Sequence, residues 1–241
     1  MKHNAIVLHK ITSSKLITFE DVIIDNLIYI LEKTKNKTIL TKDLANTDKS
    51  SFLITFDDGF KSDYFEVLSL LNKYNAKAIF FIVPNYIGQN DYLTWEQVKK
   101  ISDAGMEIGS HSLTHPNFKG LSFEERINEL TFSKKIIENN IGKSIYSFSI
   151  PFGFTDNELE KLVNKCGYTY CFTSKHGLFK DPHKSIPRNS INSKMNIKDI
   201  NKALYPSMFV KLFWIIEDFI KPFSKFILGN KYYYFRNKIL N

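Results

Sequence analysis

Apolar and polar positions follow two rhythms along this chain, and the two rhythms take turns. Short apolar runs rich in β-branched and aromatic residues at Ala5–Leu8, Phe52–Phe56 and Lys77–Val83 predict buried strands. Further strands are predicted near Thr38–Leu40 and at Met106–Ser110, Ile145–Ile150 and Tyr168–Thr173. Between them the period lengthens. Over Phe19–Lys33, Val22, Ile23, Leu27, Ile30 and Leu31 fall on one helical stripe, and Ser62–Asn72 reads as a second helix. Thr94 with Gln97 three residues on is a capping box for a helix ending at Gly105. Ser122 with Glu125 repeats that signature for a long helix to Asn139, and Asn157–Lys165 predicts a helix that stops at Gly167.

Strands alternating with helices predict an α/β fold with a parallel sheet. Six or seven such units within about 190 residues favour a closed barrel over an open sheet. In such folds chemistry sits where strands end, and Asp57, Asp58, His111 and Pro151 all fall at predicted strand ends.

Composition narrows the class. The chain has 241 residues, 43% of them hydrophobic, which is enough for a substantial core and argues against disorder. Two cysteines, Cys166 and Cys171, are too few for a disulfide framework and read as inert thiols beside apolar sequence. The net charge is +8, but residues 194–241 hold nine Lys/Arg against three Asp/Glu, or +6, leaving +2 for the remainder. A near-neutral body argues against a nucleic-acid channel at the candidate site and puts any acidic partner at the C-terminal end. The opening apolar stretch is too short for a signal peptide and no apolar run is long enough to span a bilayer, so a cytoplasmic location is expected.

Two motifs carry chemistry. Thr55-Phe56-Asp57-Asp58-Gly59 ends an apolar run with adjacent carboxylates, and His111-Ser112-Leu113-Thr114-His115 offers two imidazoles four residues apart. One carboxylate and two histidines could bind a metal ion while leaving a coordination position open, with the second carboxylate left as a base. The histidines would lie on one side of a helical turn or bracket a tight loop. Alone, Asp-Asp-Gly is a common turn signal and His-x-x-x-His a common surface spacing; their joint occurrence at strand ends is far more specific. A glycosidase built on Asp57 and Asp58 is disfavoured, because adjacent residues cannot easily flank a bond at about 5 Å or more.

These residues resemble the polysaccharide deacetylase family, also known as carbohydrate esterase family 4 or the NodB-homology domain. Ser149-Ile150-Pro151-Phe152-Gly153 resembles its Pro-aromatic-Gly segment, Ile186-Pro187-Arg188 its late Pro-Arg turn, and Ala5–His9 its opening strand with a terminal histidine. The resemblance spans roughly residues 5–200. It implies a distorted, TIM-like (β/α)7 barrel of about seven strands and a divalent metal, usually zinc. It implies Asp57 as general base, Asp58, His111 and His115 as metal ligands, and the Phe152 backbone N–H as an oxyanion donor, with Pro151, Phe152 and Gly153 lining the substrate. It further implies removal of acetyl groups, N-acetyl above all, from a saccharide in cell-envelope or surface polysaccharide metabolism. Two departures stand out. Ser149 occupies the position two before the proline that is arginine in many members, and the late Leu-x-His whose histidine protonates the leaving amine is not found. His176 and His183 lie in the right region but read as loop histidines, and Arg188 reads equally as an orienting group or a structural ion pair. These departures keep open an alternative: an impaired member that binds saccharide or acts as a membrane-associated assembly protein.

Beyond residue 204 the character changes, and residues 205–241 are expected to form a separate extension. Eleven of these 37 residues are aromatic. Phe209, Leu212, Phe213, Ile216, Ile220, Phe223 and Ile227 follow helical spacing with Lys211, Lys221 and Lys225 nearby, and Pro222 is expected to kink or divide the helix. A basic amphipathic stretch of this kind predicts peripheral membrane contact over residues 206–228, or else a helix covering the barrel, and with membrane contact a lipid-linked saccharide.

Overall fold

The structure is a computed structural model that describes residues 2–13, 18–153 and 156–228. The chain divides into two units, residues 1–204 and 205–241. In chain order the first unit opens with β1 (Asn4–Leu8), β2 (Ile11–Thr12), β3 (Val22–Ile23), α1 (Ile24–Lys33), β4 (Phe52–Asp58) and α2 (Leu68–Lys73). It continues through β5 (Ile79–Ile82), α3 (Trp95–Asp103), β6 (Glu107–Ser110), α4 (Phe123–Ile141) and β7 (Ser147–Ser149). α5 (Asn157–Lys165), β8 (Tyr170–Phe172), β9 (Arg188–Ser190) and α6 (Ile197–Leu204) complete it. In the second unit the described residues form one helix, α7 (Met208–Leu228).

Seven strands pair in parallel in the order β8-β7-β6-β5-β4-β1-β9. A bridge from Phe172 to Ile186, just before β9, brings the two edges together, so the sheet nearly closes into a barrel. This is the α/β, TIM-like architecture expected from the alternation of elements.

Side-chain alternation divides the core into two layers. Ile6, Leu8, Ile54, Phe56, Phe80 and Ile82 join the apolar stripes of the helices in one cluster, which includes Leu27 of α1, Val98 of α3 and Leu130 of α4. Ala5, Leu53, Ile79, Phe81, Phe172 and Ile186 form a second cluster inside the barrel. Each such buried side chain contributes about 1.5–3 kcal/mol relative to exposure. The same alternation places chemistry: on β4 the interior face runs Leu53, Thr55, Asp57, and on β1 it runs Ala5, Val7 and then His9.

Four expectations change. The strand near Thr38–Leu40 reduces to a single bridge from Thr38 to Phe52. The chain is diverted there because the Thr41 N–H and hydroxyl bind the Glu107 carboxylate at 2.9 and 2.7 Å. The helix expected from Phe19 begins only at Ile24, because β-branched Val22 and Ile23 pair with Ile11 and Thr12 instead. The helix expected from Ser62 opens with a wide π turn over Asp63–Val67 before regular α2. In the second unit α7 runs through Pro222 without being divided there. The aromatic run Tyr232–Phe235 lies outside the described residues.

Candidate active site

The candidate site forms where β4, β6 and β7 end, and its backbone is strained there. Six non-glycine residues among those described have positive φ. Four of them, Asp58 (77°), Ser112 (66°), His115 (59°) and Phe152 (58°), belong to the motifs singled out above. Such conformations cost of order 1–3 kcal/mol each and persist only when surroundings enforce them. On a regular strand Asp58 would point away from Asp57. The left-handed turn through Asp58 and Gly59 (φ 75°) instead carries its carboxylate round to the histidines.

His111 and His115 bracket a tight loop rather than a helical turn. Glu129 of α4 ties that loop down: its carboxylate accepts the N–H groups of Leu113 and Thr114 at 2.8 and 2.9 Å and the Thr114 hydroxyl at 2.7 Å. The Ser112 hydroxyl accepts the His115 N–H at 3.0 Å. Ligand atoms of Asp58, His111 and His115 all lie within 4.8 Å of one another. Asp58 Oδ1 is 3.6 Å from His111 Nε2 and 3.5 Å from His115 Nε2.

These residues fit a divalent metal on three grounds. His111 Nδ1 is 2.8 Å from the Ser149 carbonyl, which can only accept, so Nε2 carries the free lone pair. Asp58 Oδ1 is buried without a hydrogen-bond partner, facing both imidazoles. Burial lowers the His111 pKa below its ordinary value, against the pull of Asp57 and Asp58, which favours the neutral ligand form. Two nitrogens and one oxygen suit zinc and neighbouring first-row ions.

Asp57 sits one residue away in a different setting. Arg188 lies inside the barrel, with its guanidinium 5.5 and 5.9 Å from the ring centres of Phe81 and Phe172. Its Nη1 and Nη2 donate to Asp57 Oδ1 and Oδ2 at 2.7 and 2.8 Å, a bidentate pair. Arg188 Nη2 also donates to Ser149 Oγ at 2.8 Å, and that hydroxyl donates onward to Asp57 Oδ2 at 3.2 Å. Burial alone would raise the Asp57 pKa, but the Arg188 charge, then His111, then the Arg188 hydrogen bonds hold it well below the usual carboxylate range. Asp57 therefore stays ionised. Asp57 Oδ2 is 3.6 Å from His111 Nε2, beside the ligand cluster. Where many family members carry an arginine on β7, this chain has Ser149 and brings a guanidinium to the carboxylate from β9.

Sequence reasoning gave two residues here no role. His9 follows β1 at the position that the register beside β4, with Leu8 paired to Phe56, sets next to Asp57. Its charge is felt by Asp57, and its Nδ1 is buried without a hydrogen-bond partner. The signal lay in the alternation of β1, which turns His9 inward. Asp63 is fully buried, and neither carboxyl oxygen makes a hydrogen bond of regular geometry, the Phe60 N–H giving only a weak contact. Burial, then the charges of Asp58 and Asp57, raise it well above the usual carboxylate range.

Aromatic rings continue outward from the cluster of Asp58, His111 and His115. Phe152, 66% exposed, stands 4.8 Å from the His115 ring. Tyr86 is 6.0 Å from His115 and 4.7 Å from Tyr92, which stacks on Phe60 at 5.0 Å. Pro151 is buried, and Gly153 (φ 67°) packs so closely that a Cβ there would collide with Ser174. His183 stacks on Tyr170 at the start of β8, the opposite end of the sheet from the ligands. His176 lies in the segment leading from the end of β8 to the Phe179 bridge with His3, at the start of β1.

A model of the polysaccharide deacetylase family matches residues 44–171, more than half of the chain. Among curated proteins, the putative polysaccharide deacetylase YxkH of Bacillus subtilis is 33% identical over 153 residues, 64% of this chain and 54% of YxkH. A peptidoglycan-N-acetylglucosamine deacetylase of Bacillus cereus is 32% identical over 138 residues, 57% of this chain and 62% of that protein. The chain thus spans little more than half the length of these relatives. Among solved structures, the Streptococcus pyogenes deacetylase PplD, in complex with acetate, superposes with a TM-score of 0.77 over 86% of this chain and 99% of its own, at 20% identity. A de-N-acetylase from Aggregatibacter actinomycetemcomitans superposes at 0.73 over 84% of this chain and 100% of its own, at 16% identity. The fold is shared with these structures, and on the family match the chain belongs to the polysaccharide deacetylase family.

Proposed function

We propose that the protein is a metal-dependent hydrolase that removes acetyl groups, N-acetyl foremost, from a saccharide of the cell envelope or surface polysaccharide. The observation that carries this reading is the placement of an ionised carboxylate, Asp57, beside the cluster of Asp58, His111 and His115, with His9 next to Asp57. A binding protein has no use for that combination, and Arg188 restores a guanidinium at the carboxylate although β7 lacks one.

Asp58, His111 and His115 would hold the ion, with zinc favoured by the donor set. When bound, it would polarise the acetyl carbonyl and make water a stronger acid. Asp57 takes a proton from the attacking water, whose oxygen bonds to the acetyl carbon. Ser149 and Arg188 fix the Asp57 carboxylate with its Oδ2 beside the cluster, 3.6 Å from His111 Nε2. The Phe152 N–H is the oxyanion donor on this reading. As the C–N bond breaks, His9 supplies the proton that the leaving amine needs, the task left open by the absent Leu-x-His. Acetate and a free amine result.

The aromatic faces of Phe152, Tyr86, Tyr92 and Phe60 suit the C–H faces of pyranose rings, and because one curated relative is a peptidoglycan-N-acetylglucosamine deacetylase, N-acetylglucosamine in peptidoglycan is among the first substrates to try. The test is acetate release from N-acetylglucosamine oligosaccharides by the zinc-loaded protein, alongside zinc content. About one zinc per chain with His115-dependent acetate release is expected. A folded wild type that binds no metal would overturn the reading in favour of a non-catalytic saccharide-binding member.

A further inference from the structure

Helix α7 presents an apolar face that the described residues leave open. Met208, Phe209, Leu212, Ile215 and Ile216 are all exposed, Met208 at 77% and Phe209 at 85%. Their spacing of i, i+1, i+4, i+7 and i+8 puts them on one side of the helix. The sequence repeats the same spacing at Phe219, Ile220, Phe223, Phe226 and Ile227. Exposed apolar side chains scattered singly need no explanation, but a contiguous row two turns long does.

Charge identifies what the row meets. Residues 205–241 carry six Lys/Arg (Lys211, Lys221, Lys225, Lys231, Arg236 and Lys238) against Glu217 and Asp218, or +4 over 37 residues. The other 204 residues carry 27 against 23, also +4. Positive charge is therefore about five times denser in this unit. A second copy of the chain bears the same excess, so a face-to-face pair would set like charges together. An anionic lipid surface offers both an apolar layer for the row and negative charge for the lysines. No helix among the described residues is long and apolar enough to cross a membrane, so α7 would lie in the interface plane.

We propose that α7 docks the protein on the surface of an anionic lipid bilayer, with Met208, Phe209, Leu212, Ile215 and Ile216 inserted among the headgroups. This is independent of the deacetylase reading, and its test involves no catalysis.

The test is co-sedimentation of the full-length chain with vesicles of phosphatidylcholine, with and without about one-third phosphatidylglycerol. Partition about tenfold stronger to the anionic vesicles is expected, falling as salt rises. The combined variant Phe209→Glu, Leu212→Glu, Ile216→Glu should abolish it. Equal partition to both vesicle types, or unchanged binding by the folded variant, would overturn the proposal. So would light scattering that shows a wild-type dimer which the variant dissociates, since the face then belongs to a second copy. Should the triple variant fail to fold by circular dichroism, Lys211→Glu, Lys221→Glu, Lys225→Glu decides: binding that survives these reversals removes the charge argument and the proposal with it.

Discussion

The two ends of the barrel enclose carboxyl groups in opposite conditions. Where the strands begin, Glu107 opens β6 with its carboxylate accepting bonds from the Thr41 N–H, the Thr41 hydroxyl and the Ser147 hydroxyl. Burial raises its pKa, and those bonds work against the rise. Where the strands end, Asp58 Oδ1, both oxygens of Asp63 and His9 Nδ1 lie buried without hydrogen-bond partners. Four left-handed residues stand at that same end. His3 Nδ1, just before β1, is also buried without a partner, but three such groups gather where the strands end, in a fold that can satisfy a carboxyl group fully where they begin. Unsatisfied groups and strained backbone concentrated at one end mark the end where stability has been given up for chemistry.

Breaking the unsatisfied end should cost function more than fold. The largest effect is expected from His115→Ala: zinc binding falls from about one per chain to background and acetate release with it, while the melting temperature of the metal-free protein barely moves. Asp57→Asn should separate from it. Metal content stays near wild type and kcat falls about 10²–10⁴-fold, but removing the partner of buried Arg188 also costs about 3–5 kcal/mol in urea denaturation. His9→Asn should lower kcat on an unactivated amide by about 10²–10⁴-fold with metal content and stability near wild type. Unchanged kcat would remove His9 from the mechanism.

The satisfied end should answer the other way. Glu107→Ala leaves the Thr41 N–H and two hydroxyls without their acceptor, and about 1–3 kcal/mol of stability should go with it. Zinc content and kcat should hold at the wild-type level. A large drop in kcat would mean that the two ends are coupled through the barrel interior.

How much of this was legible in the sequence follows from the range of each interaction. Asp57, Asp58, His111 and His115 sit in two short segments whose geometry is set by the strand ends that carry them, so residue order and strand periodicity were enough to find them. The capping boxes at Thr94 and Ser122 were legible for the same reason, since each closes within three residues. Arg188 could be singled out but not assigned. It meets Asp57 across 131 positions of chain, and only closure of the sheet shows that it pairs with the carboxylate rather than with substrate. His9 could be noted as the histidine that ends the first strand but was given no role, because the proton donor was sought in a late motif. Its role depends on β1 lying beside β4, a neighbour relation that periodicity does not contain. The strand at Thr38–Leu40 failed because its competitor, Glu107, stands 66 residues away from Thr41.

An effect that shows only against pH sharpens the comparison most directly, because it measures what an unsatisfied carboxyl costs. In the folded protein Asp63 is raised well above its ordinary value of 3.8, by burial first and by Asp58 and Asp57 after it. A group whose folded pKa is raised contributes stability that is fully present below the unfolded pKa and lost as pH rises through the folded one. Asn at the same position does not titrate. The unfolding free energy of the wild type minus that of Asp63→Asn should therefore fall steadily as pH rises from about 4 towards the folded pKa, by at most about 1.4 kcal/mol per pH unit. Both proteins keep Asp57, Asp58 and the histidines, so the difference carries only the titration of Asp63 and its coupling to Asp58 and Asp57. Parallel curves from pH 4 to 8 would show that Asp63 finds a partner in solution, and the unsatisfied end of the barrel would then be smaller by one residue.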